Sequence, residues 1–106
     1  SSRWRSPAHT RHVGEHHCAN CGFAPERPGR NEAAHYSTGS GAGMAQKGDD
    51  FLTVPLCWKC HRLQHDIGEP AFWDAYEKAR GHDVHALIER MIATSPKRSE
   101  IEAIRR

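Results

Sequence analysis

Apolar residues in the second half of the chain recur at helical spacing. One set follows Pro70 and stops before Gly81, and its members are Ala71, Phe72, Ala75, Tyr76 and Ala79. A second set follows Asp83 and comprises Val84, Leu87, Ile88, Met91 and Ile92. Residues three and four apart lie on one face of a helix, so each set predicts an amphipathic helix that packs on a core.

Shorter helices are predicted on both sides of these two. Residues 7–16 follow Ser6, whose hydroxyl is a favourable N-cap, and begin with a proline, which suits the first helical turn. Residues 59–66 also suit a helix, and Ile101 with Ile104 indicates a weak final helix or a partner-binding tail.

Two segments predict β-strands. Residues 51–56 are aromatic and β-branched, and Pro55 within them marks the end of the strand or an edge of the sheet. Residues 32–37 form a second short candidate. The connection over residues 38–48 is rich in glycine and lacks the pattern of a nucleotide-binding loop. Two strands with flanking helices predict an α+β fold.

The composition leaves little material for a core. Hydrophobic residues make up 37% of the 106 positions, below the roughly 45–50% of globular chains. Small domains of this kind often add disulfides or a metal, and four Cys and nine His fit that need. No apolar run approaches the roughly 18 residues of a membrane span, and no signal peptide is evident, so we expect a cytoplasmic protein with no membrane partner. The aromatic rings of Trp58, Phe72 and Trp73 are expected to pack around a metal site and its helix, and the alternative is that they stack on nucleic-acid bases.

Basic residues concentrate at the two ends of the chain. Residues 1–30 contain five Arg against two Glu, and residues 95–106 contain four Lys and Arg against two Glu, although the net charge is only +2. Two basic ends could hold a polyanion, because phosphate contacts supply most of the sequence-independent affinity for nucleic acid. The alternative is a pair of solvated termini. Residues 1–6 predict a flexible arm.

Two Cys-x-x-Cys pairs carry the strongest chemical signal. Cys18 and Cys21 form one pair, and Cys57 and Cys60 form the other. Together they supply the four thiolates of a tetrahedral structural zinc site, which leaves no open position for catalysis. Two disulfides and a redox site are the alternatives, but a redox site would use one pair, and nothing indicates secretion.

Three histidines are candidates for catalysis. His61 and His65 lie four residues apart on the predicted helix, so their rings project from one face and can share a second metal. His35 lies on a predicted strand, and histidine is the side chain that titrates closest to neutral pH. A base opposite a metal suits phosphodiester hydrolysis. The alternative is a structural role for His35 and a plain surface position for the helical pair.

Several strings of the chain resemble the HNH, or ββα-metal, endonucleases. They are Glu32-Ala33-Ala34-His35, Met44-x-x-Lys47-x-Asp49-Asp50, Val54 to His61, Gln64-His65 and Gly68-Glu69-x-Ala71-Phe72-Trp73. The strings are similar to a phage-associated branch of that superfamily related to the recombination-enhancement nuclease. The resemblance covers roughly residues 7 to 75 and is most specific over residues 54 to 73.

The resemblance implies a small zinc-stabilised ββα-metal core with flanking helices. Residues 1–16 would form a basic arm and short helix, 17–68 the core, 69–95 the packing helices and 96–106 a basic tail. The implied function is metal-dependent DNA cleavage in a bacterial or phage-infected cell, with a recombination protein as a further partner. His35 would be the general base, and His61 and His65 would bind the catalytic Mg²⁺, Mn²⁺ or Zn²⁺.

Two positions depart from the family pattern. Ala34 stands where many members have an acid or a histidine, and the motif asparagine is missing, so that Asp50 or Thr53 would take its place. Lys47 and Arg62 are candidate phosphate contacts. The departures favour an alternative function, a zinc-stabilised DNA-binding or recombination accessory module with little cleavage. An interaction module with no nucleic-acid role is the third hypothesis.

Overall fold

Two short antiparallel strands, β1 (Glu32–His35) and β2 (Thr53–Leu56), lie between the helices of this domain. The computed structural model describes residues 3–26, 30–37, 48–81 and 83–106. Over these residues the helices are α1 (Pro7–Gly14), α2 (Trp58–Ile67), α3 (Glu69–Arg80), α4 (Val84–Ala93) and α5 (Arg98–Arg105). The α+β class predicted from the sequence is therefore confirmed.

The register of the sheet directs small and branched side chains into the core. Ala34 pairs with Val54, and both are fully buried. Leu56, at the end of β2, is also fully buried. Helix α1 contacts both strands, while α4 contacts β2, so helices cover β2 and the buried side of β1. This covering explains why β2 is buried along its whole length.

Both strands are shorter than the sequence predicts. Strand β1 stops at His35 instead of residue 37, and β2 starts at Thr53 instead of residue 51. The reason is a turn in which the amide of Leu52 donates a hydrogen bond to the carbonyl of Asp49 (3.0 Å). Phe51 lies in that turn, yet its side chain is buried and contributes to the core.

The helix ends follow the local signals in the sequence. The Ser6 hydroxyl accepts a hydrogen bond from the amide of His9, and Asp83 caps α4 in the same way. Gly81 adopts the left-handed conformation (φ 75°) that ends α3. Helix α1 ends at Gly14, two residues earlier than predicted, because a turn follows in which the amide of His16 bonds to the carbonyl of Val13.

The predicted apolar face of α4 packs in the core. On α3 the large predicted residues are buried, but the predicted alanines Ala71, Ala75 and Ala79 are exposed. Phe72, Trp73 and Tyr76 are buried on α3. Helix α5 is present and buries Ile101, whereas Ile104 is exposed. The prediction for Trp58 was wrong: its ring is 60% exposed at the start of α2. None of the helices in the described part of the chain is long and apolar enough to cross a bilayer.

The first described residues are held in place, in contrast to the flexible arm that the sequence predicts. We call residues 3–6 the N-terminal arm. Its backbone amides at Trp4 and Ser6 donate hydrogen bonds to the carboxylates of Asp49 and Asp50, each over 2.8 Å. Two buried carboxylates, 45 and 44 residues further along the chain, therefore hold the arm. No local sequence pattern predicts these contacts. The predicted glycine-rich connection lies, over residues 38–47, outside the described residues.

Candidate functional site

The four cysteines lie together beside the start of α2. One sulfur from each of Cys18, Cys21, Cys57 and Cys60 lies within 4.8 Å of all the others. The sulfurs of Cys21 and Cys57 are 3.7 Å apart. A zinc ion with four bonds of about 2.3 Å to sulfur places its ligand atoms roughly 3.8 Å apart, so this spacing fits a tetrahedral thiolate site.

Disulfides do not describe this group. All four thiols are free, and the 3.7 Å between Cys21 and Cys57 is well above the roughly 2.05 Å of a sulfur–sulfur bond. The cluster joins the turn after α1 to the junction of β2 and α2. Four cysteines at this spacing could hold a structural metal such as zinc, and no cysteine is left over, because the sequence has four in all.

Hydrogen bonds hold the turn at Cys18–Gly22 and connect it to Cys60. Gly22 (φ 79°) closes the turn by donating its amide to the carbonyl of Cys18. The side-chain amide of Asn20 donates to the sulfur of Cys60 over 3.4 Å. Hydrogen bonds of this kind favour the thiolate form that a metal binds and orient the ligand.

The thiols have perturbed acidity. Burial raises the pKa of Cys60 to about 12, and the neighbouring cysteines add to this despite the Asn20 hydrogen bond. Burial also acts against the Cys18 thiolate, but hydrogen bonds from backbone amides outweigh it and lower the pKa of Cys18. Four crowded sulfurs cannot all carry negative charge without a cation between them, so metal binding must release protons.

His35 and Asp50 form a second polar group at the end of β1. The Nε2 atom of His35 donates a hydrogen bond to Oδ1 of Asp50 over 3.1 Å. The carboxylate is nearly enclosed, with a side chain 9% exposed, while the His35 side chain is 41% exposed. This hydrogen bond leaves Nδ1 of His35 as the atom with the lone pair.

Two further contacts fix Asp50. Its second oxygen accepts the amide of Ser6 (2.8 Å), and its carbonyl accepts the hydroxyl of Thr53 (2.8 Å). Thr53 is fully buried and pairs with His35 across the sheet. The two residues that were expected to replace the motif asparagine are therefore both next to His35, but only Asp50 contacts its ring through a hydrogen bond given by the structure.

His61 and His65 project from the same face of α2. Their ring centroids are 4.9 Å apart, with the ring planes inclined by 37°. The Nδ1 atom of His61 donates to Oε1 of Glu32 over 2.7 Å. This carboxylate fixes the tautomer and leaves Nε2 of His61 with a free lone pair, the form in which an imidazole can act as a metal ligand.

A single cleft of about 460 Å³ brings the three predicted histidines together. We call it the histidine cleft, and its walls are Arg3, Arg5, His35, Ser37, Gly48, His61, Gln64, His65, Gly68 and Glu69. Another cleft, of about 470 Å³ between the segment after α1 and helices α3 and α4, holds none of the predicted catalytic or phosphate-binding residues. The histidine cleft is therefore where the side chains of His35, His61 and His65 share one space.

Two contacts hold the walls of the histidine cleft together. Gln64 lies between the two helical histidines in sequence but is buried, and its amide donates to the carbonyl of His35 over 3.4 Å. Glu69 accepts both the amide and the hydroxyl of Ser37, over 2.9 and 2.6 Å. These bonds attach α2 and the start of α3 to the segment that follows β1.

The described residue Arg62 does not join the cleft. Arg62 is exposed on α2 but is not among the residues that line it. Lys47 lies outside the described residues. Across the described ranges, the cysteine cluster is the one group of three or more His, Cys or acidic residues placed to hold a metal, so the His61 and His65 pair has no third protein ligand there.

Sequence reasoning included Glu32 and Gln64 only as parts of the resembling strings, with no role, and gave no position to the two arginines of the N-terminal arm. The contact of Glu32 with His61 could be recognised only once the register of the sheet is known. Glu32 pairs with Leu56, which directly precedes Cys57 and the first turn of α2. The arginines carried a charge signal but no indication of where the arm would lie.

Comparison with known proteins gives a family and no activity. No curated protein and no solved structure matches the chain. A family model described as a protein of unknown function, DUF968, matches residues 1–95. This match spans most of the 106 residues, and the chain therefore belongs to the DUF968 family.

Proposed function

We propose that this protein is a metal-dependent DNA endonuclease of the HNH type. The observation that carries the proposal is the histidine cleft, in which His35, hydrogen-bonded to Asp50, shares one space with the rings of His61 and His65. A base fixed by a carboxylate, next to paired imidazoles, is an arrangement suited to activating water for attack on a phosphodiester.

The order of elements around the cleft supports a ββα-metal core. Strands β1 and β2 pair antiparallel, and α2 follows β2 after one residue, Cys57. The proposed base lies at the end of the first strand, and the proposed metal ligands lie on the helix. The cysteine cluster, with zinc as its proposed ion, would fix the junction between β2 and α2 and hence the direction in which His61 points.

The role of His35 follows from its tautomer. With Nε2 donating to Asp50, Nδ1 accepts a proton from water while the water oxygen bonds to phosphorus and the bond to the leaving oxygen breaks. Asp50 stabilises the imidazolium that this step creates and keeps the ring in place. The 41% exposure of the His35 side chain gives water and substrate access to the ring.

His61 and His65 fit a divalent cation as a two-histidine site. A cation bound there would neutralise charge on the scissile phosphate and on the leaving oxygen. Two protein ligands leave positions for water and for an oxygen of the substrate phosphate, and imidazole nitrogen suits a transition metal such as Zn²⁺ better than Mg²⁺, which prefers oxygen ligands. Glu32 orients the His61 ring for that purpose.

One observation favours a second function, that of a DNA-binding or recombination accessory module with little cleavage. Ala34 supplies no ligand atom and is fully buried in the core. The metal site would then have only its two histidines from the described protein residues. A weakly held cation would leave DNA binding intact and make cleavage slow.

The test is incubation of the purified chain with supercoiled plasmid in Mg²⁺ or Mn²⁺, beside His35→Ala. His85→Ala is the matched control, because His85 is exposed on α4 outside the histidine cleft. The proposal expects cutting by the wild type and by the control, and loss of cutting in His35→Ala. Equal cutting by all three would identify a contaminating nuclease. Binding without cutting in every metal would favour the accessory module.

A further inference from the structure

The N-terminal arm is extended and presents its side chains alternately. Trp4 turns toward the protein, where its ring lies 5.7 Å from that of Phe51 and its indole nitrogen donates to Glu100 over 2.8 Å. Its neighbours Arg3 and Arg5 are exposed, and both line the histidine cleft. Residues two apart along an extended segment lie on the same side, so while the partly buried Trp4 packs against the protein, Arg3 and Arg5 both face the cleft.

The backbone of the arm is bonded on both sides of Trp4. The Trp4 amide donates to Oδ1 of Asp49, and the Trp4 carbonyl accepts the amide of Asp50 over 2.9 Å. Ser6 then donates to the same Asp50 carboxylate that accepts Nε2 of His35. The positions of the two arginines and of the proposed base are therefore set by one pair of adjacent acidic residues.

Gly48 makes room for the Arg3 side chain. A Cβ atom at Gly48 would lie 2.6 Å from both Cδ and Nη1 of Arg3, closer than such atoms approach, and Gly48 has a φ of +95°. Within the ranges that the structure describes, no ion pair joins Arg3 or Arg5 to a carboxylate. Two cations at the rim of a cleft with no anionic partner there are available to an anionic ligand.

We propose that Arg3 and Arg5 bind backbone phosphates of the polynucleotide that enters the histidine cleft. This inference rests on the proposed function and adds a second part of the chain to the substrate contacts, separate from α2. Guanidinium groups suit the role because they are always charged and can donate two parallel hydrogen bonds to a phosphate. Phosphate contacts do not read sequence, so the arm would position DNA without regard to base identity.

The test measures binding of a short fluorescent DNA duplex by anisotropy, with every variant made in the non-cleaving His35→Ala background of the full chain. Arg3→Ala and Arg5→Ala are each expected to weaken binding about tenfold, and each is expected to reduce the slope of log K against log salt by about one. Arg11→Ala is the matched control, since Arg11 is exposed on α1 and does not line the cleft. It should leave both quantities unchanged.

A double-mutant cycle separates a direct contact from a general charge effect. Gly48→Ala displaces Arg3, so it should weaken binding in the parent and add no further loss in the Arg3→Ala background. Arg3→Lys should restore the salt slope with part of the affinity. Unchanged affinity and slope in both arginine variants would overturn the inference, even when the wild type still cuts DNA. A wild type that neither binds nor cuts DNA would instead overturn the proposed function.

Discussion

Asp50 accepts a hydrogen bond from Nε2 of His35 over 3.1 Å, with the carboxylate nearly enclosed and the imidazole open to the cleft. The Asp50 carboxylate is therefore buried in the protein, and the His35 ring is accessible from the cleft. In a carboxylate–imidazole pair that acts on water, the carboxylate orients the ring and stabilises its charged form, and the free nitrogen takes the proton.

The first prediction concerns this pair. Asp50→Asn keeps the shape of the side chain but removes the charge, and we expect the initial rate of plasmid cleavage to fall about 10- to 100-fold. His35→Ala should lower it by about 10²-fold or more. Asp74→Asn, on the exposed face of α3, serves as the control. An Asp50→Asn variant that melts like the wild type and cuts at the wild-type rate would exclude the proposed role.

The second prediction concerns Glu32. Glu32→Gln weakens the bond that orients His61, so about 10- to 100-fold more Mn²⁺ or Mg²⁺ should be needed for half-maximal cleavage. Tightly bound zinc, measured separately, should not change. Glu26→Gln removes a similar charge from an exposed turn outside the cleft and should leave the metal dependence as it is. The same metal dependence in both variants would contradict the assignment of His61 as a ligand.

The third prediction concerns the cysteine cluster. We expect one zinc per chain by elemental analysis, and Cys60→Ser should lose it and lower the melting temperature, because metal binding and folding are coupled. Asn20→Ala removes only the hydrogen bond to the Cys60 sulfur and should keep zinc with about 10- to 100-fold weaker affinity in a chelator competition. A wild-type chain that binds no zinc, with no free thiols under denaturing conditions, would contradict the assignment.

The fourth prediction concerns His9, which is fully buried under Trp4 and joined by a 2.7 Å hydrogen bond to the hydroxyl of Ser95. Burial lowers its pKa to about 4, nearby His12 acts in the same direction, and Asp50 partly opposes them. Below about pH 6.5 the unfolded chain binds a proton that the folded chain excludes. The free energy of unfolding should therefore fall as the pH decreases from about 6.5 toward 4, by about 2 kcal/mol at pH 5.

Urea unfolding at pH 7 and pH 5 measures this loss. His9→Gln keeps a polar side chain that does not titrate, so its stability should depend less on pH than that of the wild type. Any effect of acid on the cysteine cluster is common to both chains and cancels in the difference. Identical pH dependence in the two chains would contradict a neutral, buried His9.

Features with a local period were predictable from the sequence. The helical spacing of Phe72 and Tyr76 on α3 needs only the geometry of a helix, and both are buried, whereas the three alanines predicted on the same face are exposed. The two Cys-x-x-Cys turns are equally local, and the meeting of the two pairs follows from the ligand number that zinc prefers. What the sequence could not place are bonds between distant segments, such as the Ser6 amide on Asp50, 44 residues away.

The error at Trp58 has a related physical cause. Hydrophobicity predicts that an indole is buried, but the first turn of α2 is oriented by the adjacent Cys57 and Cys60, which turn toward the other cysteines. The helix phase is thus set by the sulfurs, and Trp58 is left 60% exposed. The positions of the Cys57 and Cys60 sulfurs determine the exposure of Trp58, and a hydropathy pattern carries no information about them.

The placement of Arg3 on the wall of the histidine cleft has a practical consequence for how the protein is produced. Any sequence fused before the arm would enter the domain at the rim of this cleft, within reach of the space between His35 and α2. A polyhistidine purification tag placed there would offer competing imidazoles to the metals used in the assays. The tag therefore belongs after α5, whose residues do not line that cleft.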